Sequence, residues 1–113
     1  MTVIYKICPQ ALWQQAEAKG VFDGAPIDHS DGYIHFSTAE QARETAAKHF
    51  SGQDDLLLIA VDGDKLGNAL KWEPSRGGAL FPHLYGTLNV RDVEWIKLLP
   101  LKADGQHNFP EMN

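Results

Sequence analysis

The sequence predicts one small α+β domain, because strands and helices alternate in its first half and only strands follow in the second. The chain has 113 residues, is 43% hydrophobic and 22% charged, and so has the size and composition of a single packed domain. The apolar run 56–61 is typical of a central strand buried on both faces. We therefore expect a mixed or antiparallel sheet, with two main helices near the N-terminal half, in one domain over residues 1–113.

The first predicted strand covers residues 3–7, where β-branched and aromatic side chains are concentrated. Pro9 follows, and since proline suits the first turn of a helix, we expect a helix to begin there. Gly20 ends this helix, because glycine accepts the left-handed conformation that commonly follows a last helical turn. Residues 21–31 are rich in glycine, proline and aspartate and are predicted to form a loop.

The second predicted strand covers residues 33–37 and leads directly into a second helix. Two overlapping capping boxes mark the start of that helix. One pairs Ser37 with Glu40, and the other pairs Thr38 with Gln41. The free backbone N–H groups of a helix start also favour an anion, so the same residues are candidates for ligand binding.

The second half of the chain contains predicted strands that are separated by glycine-containing turns. The predicted strands cover residues 55–61, 70–73, 80–88 and 93–101. The polar tail from about residue 102 is expected to fray, as chain ends commonly do.

Charge and composition argue against duplex nucleic acid as a partner and leave a small, anionic molecule held by local positive groups as the expected ligand. The net charge is −5 and the pI about 5.4, without any run of basic residues, which argues against duplex nucleic acid as a partner. The longest apolar run is far too short to span a membrane. A single cysteine and the absence of a signal-peptide pattern predict a cytoplasmic protein, and we expect a monomer or a weak dimer.

Two segments, residues 32–38 and 81–86, carry the candidate chemistry. Strand alternation puts Tyr33, His35 and Ser37 on one face, opposite two apolar residues that can face a core. His83 and Tyr85 likewise share a face of the second segment. We predict that both segments line one pocket, although a helix cap and a hydrogen-bonded histidine in an apolar plug would explain the same residues.

Within this pocket the two histidines are the candidate catalytic residues, because histidine exchanges protons near neutral pH. The other candidates combine aromatic surface with hydrogen-bonding or charged groups that could contact a ligand. These ligand-binding candidates are Tyr33, Ser37, Thr38, Gln41, Glu73, Arg76, Phe81 and Tyr85. No metal is predicted, since His35, His83 and Glu73 contain no closely spaced ligand pair.

Three blocks, residues 4–7, 31–38 with Gln41, and 81–86, resemble a small bacterial family known as domain of unknown function 952. The resemblance covers about residues 3–101 and keeps the family's order of blocks. It implies an ADP-ribosyltransferase-like fold, with a split, mostly antiparallel sheet and a cleft for a nicotinamide dinucleotide. In that fold a strand leads through a segment like Phe36-Ser37-Thr38 into a helix that braces the cleft.

The same resemblance makes NAD the cofactor to test, but the residues on the first strand do not support it. Transferases of this fold hold the dinucleotide with an arginine or histidine there, whereas this chain offers Tyr5 and Lys6. The late glutamate motif is matched only in part, by Asp92-Val93-Glu94.

Three hypotheses for function follow from these observations. The first is a divergent ADP-ribosyltransferase-like protein that binds a nucleotide or another phosphate-bearing small molecule. The second is a non-catalytic ligand-binding or regulatory domain that uses the same pocket. The third is a two-histidine phosphoesterase, for which His35-Phe36-Ser37 satisfies one His-x-Ser/Thr element and His83-Leu84-Tyr85 fails the other. The sequence leaves open whether the protein is an enzyme.

Overall fold

The computed structural model describes residues 1–112, apart from the side chain of Arg76. The helices of this part are α1 (Gln10–Lys19), α2 (Pro26–Asp31) and α3 (Ala39–His49), and none of the three is long and apolar enough to cross a membrane. The strands are β1 (Val3–Pro9), β2 (Val21–Phe22), β3 (Ile34–His35), β4 (Leu56–Asp62), β5 (Leu70–Pro74), β6 (Leu80–Leu84), β7 (Leu88–Asn89) and β8 (Val93–Leu98).

The strands of the described residues form three antiparallel sheets, in the orders β1-β4-β8, β3-β6-β5 and β2-β7. An isolated bridge between Tyr5 and Ser37 joins the first two sheets, with N–H to carbonyl distances of 2.8 Å in both directions. The predicted α+β class with antiparallel pairing is therefore confirmed. The bridge also fixes the strand that carries His35 against the central sheet.

Strand β4 lies between β1 and β8, and its residues 58–61 are fully buried, as the apolar run predicted. Alternate residues of β4 contribute to two separate cores. Ile59 and Val61 pack in the cluster that contains Trp13, whereas Leu58 and Ala60 pack in the cluster that contains Leu99. The continuous run of apolar residues thus reflects burial on both faces of the sheet.

The predicted ends of the two main helices are largely as expected. Gly20 follows α1 at φ 86°, and its N–H donates to Ala16 O at 2.8 Å. At the start of α3 only one of the two capping boxes forms. Thr38 Oγ1 accepts from Gln41 N–H, and Gln41 Oε1 accepts from Thr38 N–H. The Ser37 box is wrong, because Ser37 still belongs to the bridge with β1.

The loop predicted for residues 21–31 is wrong. This segment contains the short strand β2 and the helix α2, which begins with Pro26 at its first turn and ends at Gly32 with φ 89°. Its proline and glycine residues therefore mark the start and the end of a short helix. Helix α2 carries two carboxylates, Asp28 and Asp31, that contact His35.

Residues 102–112, the polar tail that was expected to fray, pack against the rest of the fold in the structure. His107 is 8% exposed, pairs with Leu101 in a β-bridge and donates through Nε2 to Gln53 O at 2.8 Å. Phe109 and Met112 pack against the core cluster that contains Leu99. A few apolar side chains among polar neighbours are enough to hold this segment, because they meet an apolar surface that the rest of the fold provides.

Candidate functional site

One face of the β3-β6-β5 sheet carries the two predicted histidines. The strand register pairs His35 with His83 and His83 with Lys71, so the three side chains form a row across the sheet. The His35 and His83 ring centroids are 5.6 Å apart. The prediction that the two sequence segments bring their histidines together is therefore confirmed, and strand pairing is the cause.

His35 meets a carboxylate at each ring nitrogen. Nδ1 donates to Asp28 Oδ1 at 2.6 Å, and Nε2 lies 2.9 Å from Asp31 Oδ2. A neutral imidazole carries only one N–H, so both contacts are hydrogen bonds only when the ring is protonated. The side chain is 31% exposed, and it is the more accessible of the two histidines.

Asp28 is the buried centre of this arrangement. It is 2% exposed and accepts from Lys6 Nζ at 2.8 and 3.1 Å, and from the backbone N–H groups of Ala25 and His35 at 2.8 and 3.1 Å. Burial by itself would raise the pKa of the carboxyl, but the His35 ring, the Lys6 ammonium and the Ala25 N–H outweigh burial and hold the pKa of Asp28 well below its usual range. Asp28 is thus a fixed carboxylate that orients His35.

His83 is held by a second carboxylate and covered by an aromatic ring. Its Nδ1 donates to Glu73 Oε1 at 2.8 Å, and the Tyr85 hydroxyl donates to the same oxygen at 2.8 Å. The bond from His83, followed by that from Tyr85, lowers the pKa of Glu73. Tyr33 stacks on His83 with ring centroids 4.1 Å apart. Because only 2% of His83 is exposed, its main contacts are with protein groups.

A cleft of about 470 Å³ opens beside this row, within the range of roughly 300–1,000 Å³ that is usual for small-molecule sites. Five of the residues that the sequence singled out line it, namely Tyr33, His35, Ser37, Phe81 and His83. Both sequence segments therefore contribute to one concave surface.

The remaining predicted residues serve neighbouring structure. Thr38 and Gln41 bond each other in the capping box, and Gln41 Nε2 also donates to Leu80 O at 2.7 Å. Glu73 accepts from His83 and Tyr85 donates to Glu73, and neither Glu73 nor Tyr85 is part of the cleft lining. The side chain of Arg76 lies outside the described residues. The helix start at Thr38 is closed by its own cap, which weakens the idea that it holds an anion.

Sequence reasoning missed the residues that hold His35. Asp28 and Asp31 lie in the segment that was predicted to be a loop, and Lys6 was considered only as a failed match to a cofactor-binding residue. The missed signal was Pro26, which suits a first helical turn, followed by carboxylates at positions 28 and 31 on successive turns. His49, which also lines the cleft, carried no such signal.

Other reactive or metal-binding groups are not apparent in the described part of the chain. Burial raises the pKa of the Cys8 thiol to about 11, so the thiol stays protonated at neutral pH. Within residues 1–112, no group of three or more histidine, cysteine, aspartate or glutamate side chains is arranged to hold a metal ion.

Fold and site together define a small antiparallel α+β protein with a histidine–carboxylate cluster beside a cleft. Residues 7–96 match the family described as "Protein of unknown function (DUF952)". The chain belongs to this family, so the family resemblance seen in the sequence is confirmed.

Solved structures of one bacterial protein are similar to the chain over almost its full length. The crystal structure of protein CC0527 from Caulobacter crescentus is 53% identical, with 95% of this chain and 94% of that chain covered and a TM-score of 0.92. The solution NMR structure of CC0527 is 55% identical, with 94% and 91% covered and a TM-score of 0.85. No protein with a curated description matches the chain.

Proposed function

We propose that the cleft binds a small phosphate-bearing molecule of the nucleotide type, and that His35 is the group that meets its phosphate. The observation that carries this proposal is the cross-strand pair of His35 and His83, in which each Nδ1 donates to a carboxylate. A carboxylate at Nδ1 fixes the ring and directs Nε2 to other partners. On His35 that nitrogen lies at the edge of the cleft, where a phosphate oxygen could replace the Asp31 carboxylate.

The composition of the cleft wall supports a ligand with both a flat apolar part and a polar part. Ile27, Phe36, Phe50 and Phe81 supply apolar surface in the lining, next to the histidines. Ligand sites commonly combine such surface with a few convergent polar groups. Stacking of a nucleobase on an aromatic side chain contributes about 1–3 kcal/mol. A nucleotide can use both kinds of surface at once.

An ADP-ribosyltransferase-like fold is part of this proposal, and NAD-dependent transfer is a weaker extension of it. The bridge from Tyr5 to Ser37 supports the fold, because it joins two antiparallel sheets into one split arrangement. Lys6 argues against NAD chemistry, because its ammonium is buried in the ion pair with Asp28 and is not available to a dinucleotide. Glu94 pairs with Lys65 at 3.4 Å and does not line the cleft.

A non-catalytic, regulatory ligand-binding domain is the second candidate, and one specific observation favours it. A general acid or base needs a nitrogen within reach of substrate. The outer nitrogen of His35 is already covered by Asp31, and His83 lies almost entirely inside the protein. The two-histidine phosphoesterase is disfavoured for the same reason. In addition, Tyr85 occupies the position of the Ser/Thr in the second His-x-Ser/Thr element, and its hydroxyl donates to Glu73.

Calorimetric titration with NAD, ADP-ribose and simple nucleotides tests the binding proposal. We expect His35→Asn to weaken binding about tenfold or more, since a hydrogen bond to a charged group contributes about 1.5–3 kcal/mol. His29→Asn is the matched control, because His29 is exposed, pairs only weakly with Asp23 at 3.6 Å and lies outside the cleft lining. No detectable heat with any of these compounds would end the nucleotide proposal.

Replacement of Asp31 separates the catalytic candidate from the regulatory one. Asp31→Asn removes the carboxylate that competes with a ligand for His35 Nε2, so we expect tighter binding of the same nucleotide. If the cleft is catalytic, the variant should also turn that nucleotide over, and His35→Asn should abolish the turnover. Tighter binding without any turnover supports the regulatory function.

A further inference from the structure

We propose that a second cavity, between α3 and the C-terminal segment, is a binding site for a phosphate monoester group. The cavity measures about 250 Å³ and is separate from the histidine cleft, with which it shares no lining residue. Arg43, Ala46, Ala47 and Ser51 line one side, and residues of the segment 102–109 line the other. The proposal is independent of the function proposed for the histidine cleft.

The charges around this cavity are the first argument. The chain carries 15 acidic and 10 basic side chains, yet none of the described residues that line the cavity is an aspartate or a glutamate. The lining instead contains Arg43, Lys102 and His107. An anion that enters here meets positive charge without an opposing carboxylate in the wall.

Arg43 supplies the second argument, because no counterion for its charge is found among the described residues. Among the described residues no carboxylate lies within ion-pair distance of its guanidinium, whereas Lys48 on the same helix pairs with Glu44 at 3.4 Å. The guanidinium carbon lies 5.2 Å from the centre of the Phe109 ring. Packing on an aromatic ring steadies a guanidinium while its N–H groups stay available for an oxyanion.

The other lining groups can complete an oxyanion site. Lys102 has only a distant partner, Asp104 at 3.9 Å, and the hydroxyl of Ser51 lies in the same wall. His107 donates through Nε2 to Gln53 O, so its Nδ1 can donate to an oxyanion only when the ring is protonated. Two independent cations favour a dianion over a monoanion, and the forked donors of arginine fit phosphate oxygens. A phosphate monoester therefore fits better than a single carboxylate.

A ligand here would join two parts of the chain. Its contacts on α3 and on residues 102–109 would stabilise the C-terminal segment in its packed position, because a ligand that binds only the folded state shifts the equilibrium toward it. We accordingly expect inorganic phosphate, the simplest probe, to raise the melting temperature.

Two-dimensional NMR of the full chain, titrated with inorganic phosphate and separately with acetate at constant ionic strength, tests the proposal. Saturable shifts should appear at Arg43 and at residues 102–109, with much weaker effects from acetate. Arg43→Gln and Lys102→Gln should each weaken phosphate binding about tenfold, as expected for the loss of a charged donor. Arg43→Gln removes a group that packs on Phe109. Lys102 is exposed, so Lys102→Gln tests the loss of charge without changing that packing.

Lys48→Gln is the control, since Lys48 lies on the same helix, carries the same charge and does not line the cavity. Unchanged phosphate binding in this variant supports a specific site at the cavity. Equal weakening in all three variants would reduce the effect to general charge attraction and overturn the proposal. Absence of saturable shifts, or shifts confined to the histidine cleft, would overturn it as well.

Discussion

Asp28 concentrates five hydrogen-bond contacts in a position that is 2% exposed, including both contacts from Lys6 and one from the His35 ring. Burying two opposite charges costs solvation free energy, which good geometry and additional hydrogen bonds offset. The arrangement therefore tolerates the loss of neither partner. It also links the stability of the fold to the orientation of the accessible histidine.

Replacement of Asp28 by asparagine should destabilise the protein strongly. The variant leaves the Lys6 ammonium buried without a counterion, and breaking a buried ion pair in this way costs about 3–5 kcal/mol. The control is Asp23→Asn, which removes an exposed pair with Lys19 at 3.4 Å and should cost at most about 1 kcal/mol. Urea denaturation measures both values, and similar losses in the two variants would contradict the buried-pair account.

Acid should weaken the parent protein through the same carboxylate. The pKa of Asp28 lies below its usual range in the folded state, whereas an unfolded aspartate titrates near about 3.9. A group of this kind contributes stability that is fully present above its unfolded pKa and is lost as the pH falls toward its folded pKa. The lowered pKa of Glu73 acts in the same direction, with a smaller effect because Glu73 is partly exposed.

The free energy of unfolding should therefore decline as the pH falls below about 5. The stability difference between parent and Asp28→Asn should shrink over the same range, because protonated Asp28 no longer balances the Lys6 charge. Urea denaturation in a series of buffers from neutral to acidic pH measures this difference. If the stability difference between the two proteins stays constant with pH, the pKa of Asp28 is not lower in the folded state than in the unfolded state.

At the scale of elements, local chemistry predicted the long segments and missed several short ones, including β2 and α2. The apolar run of β4, Gly20 after α1 and the Thr38 box before α3 are signals carried by neighbouring residues, and each appears in the structure. Strands β2 and β7 have two residues each and exist only because they pair with each other. Such strands leave no periodic pattern, so the sequence could not reveal them.

The start of α3 gives a prediction at this scale. Thr38→Ala should cost about 1 kcal/mol of stability, because the side chain caps a backbone N–H of the first turn. It should also speed amide hydrogen exchange at Gln41, whose N–H donates to Thr38 Oγ1. Ser37→Ala is the control, since the Ser37 hydroxyl shares its bond with Thr45 and caps nothing. Faster exchange at the Glu40 amide in the Ser37 variant would indicate the Ser37–Glu40 capping box that the structure does not show.

For the whole molecule, the C-terminal segment contributes to the stability of the fold. Phe109 is half-buried against the core cluster that contains Leu99. Phe109→Ala should therefore lower the free energy of unfolding by about 1–3 kcal/mol through lost apolar burial. Glu111→Ala, two residues away and exposed, should change stability by at most about 0.5 kcal/mol. Thermal or urea unfolding compares the two. If Phe109→Ala unfolds like the parent, the segment is not packed in solution.

The candidate site could be predicted in part. Strand alternation put Tyr33, His35 and Ser37 on one face, and two glycine-bounded segments suggested a shared pocket. The direct pairing of His35 with His83 depends on the register between β3 and β6, which joins residues 48 positions apart. Asp28 and Lys6 could not be paired from sequence, since nothing local relates β1 to α2.

By itself the sequence determined the α+β class, the buried central strand, the main helix boundaries and the family. All of these rest on periodicity, capping and turn residues, or on blocks of residues that lie close together in the chain. Tertiary structure alone decided that α2 supplies carboxylates to His35, that Tyr33 covers His83, and that the C-terminal segment packs on α3. These contacts join distant segments, and their free energy comes from burial and charge pairing that exist only once the chain has folded.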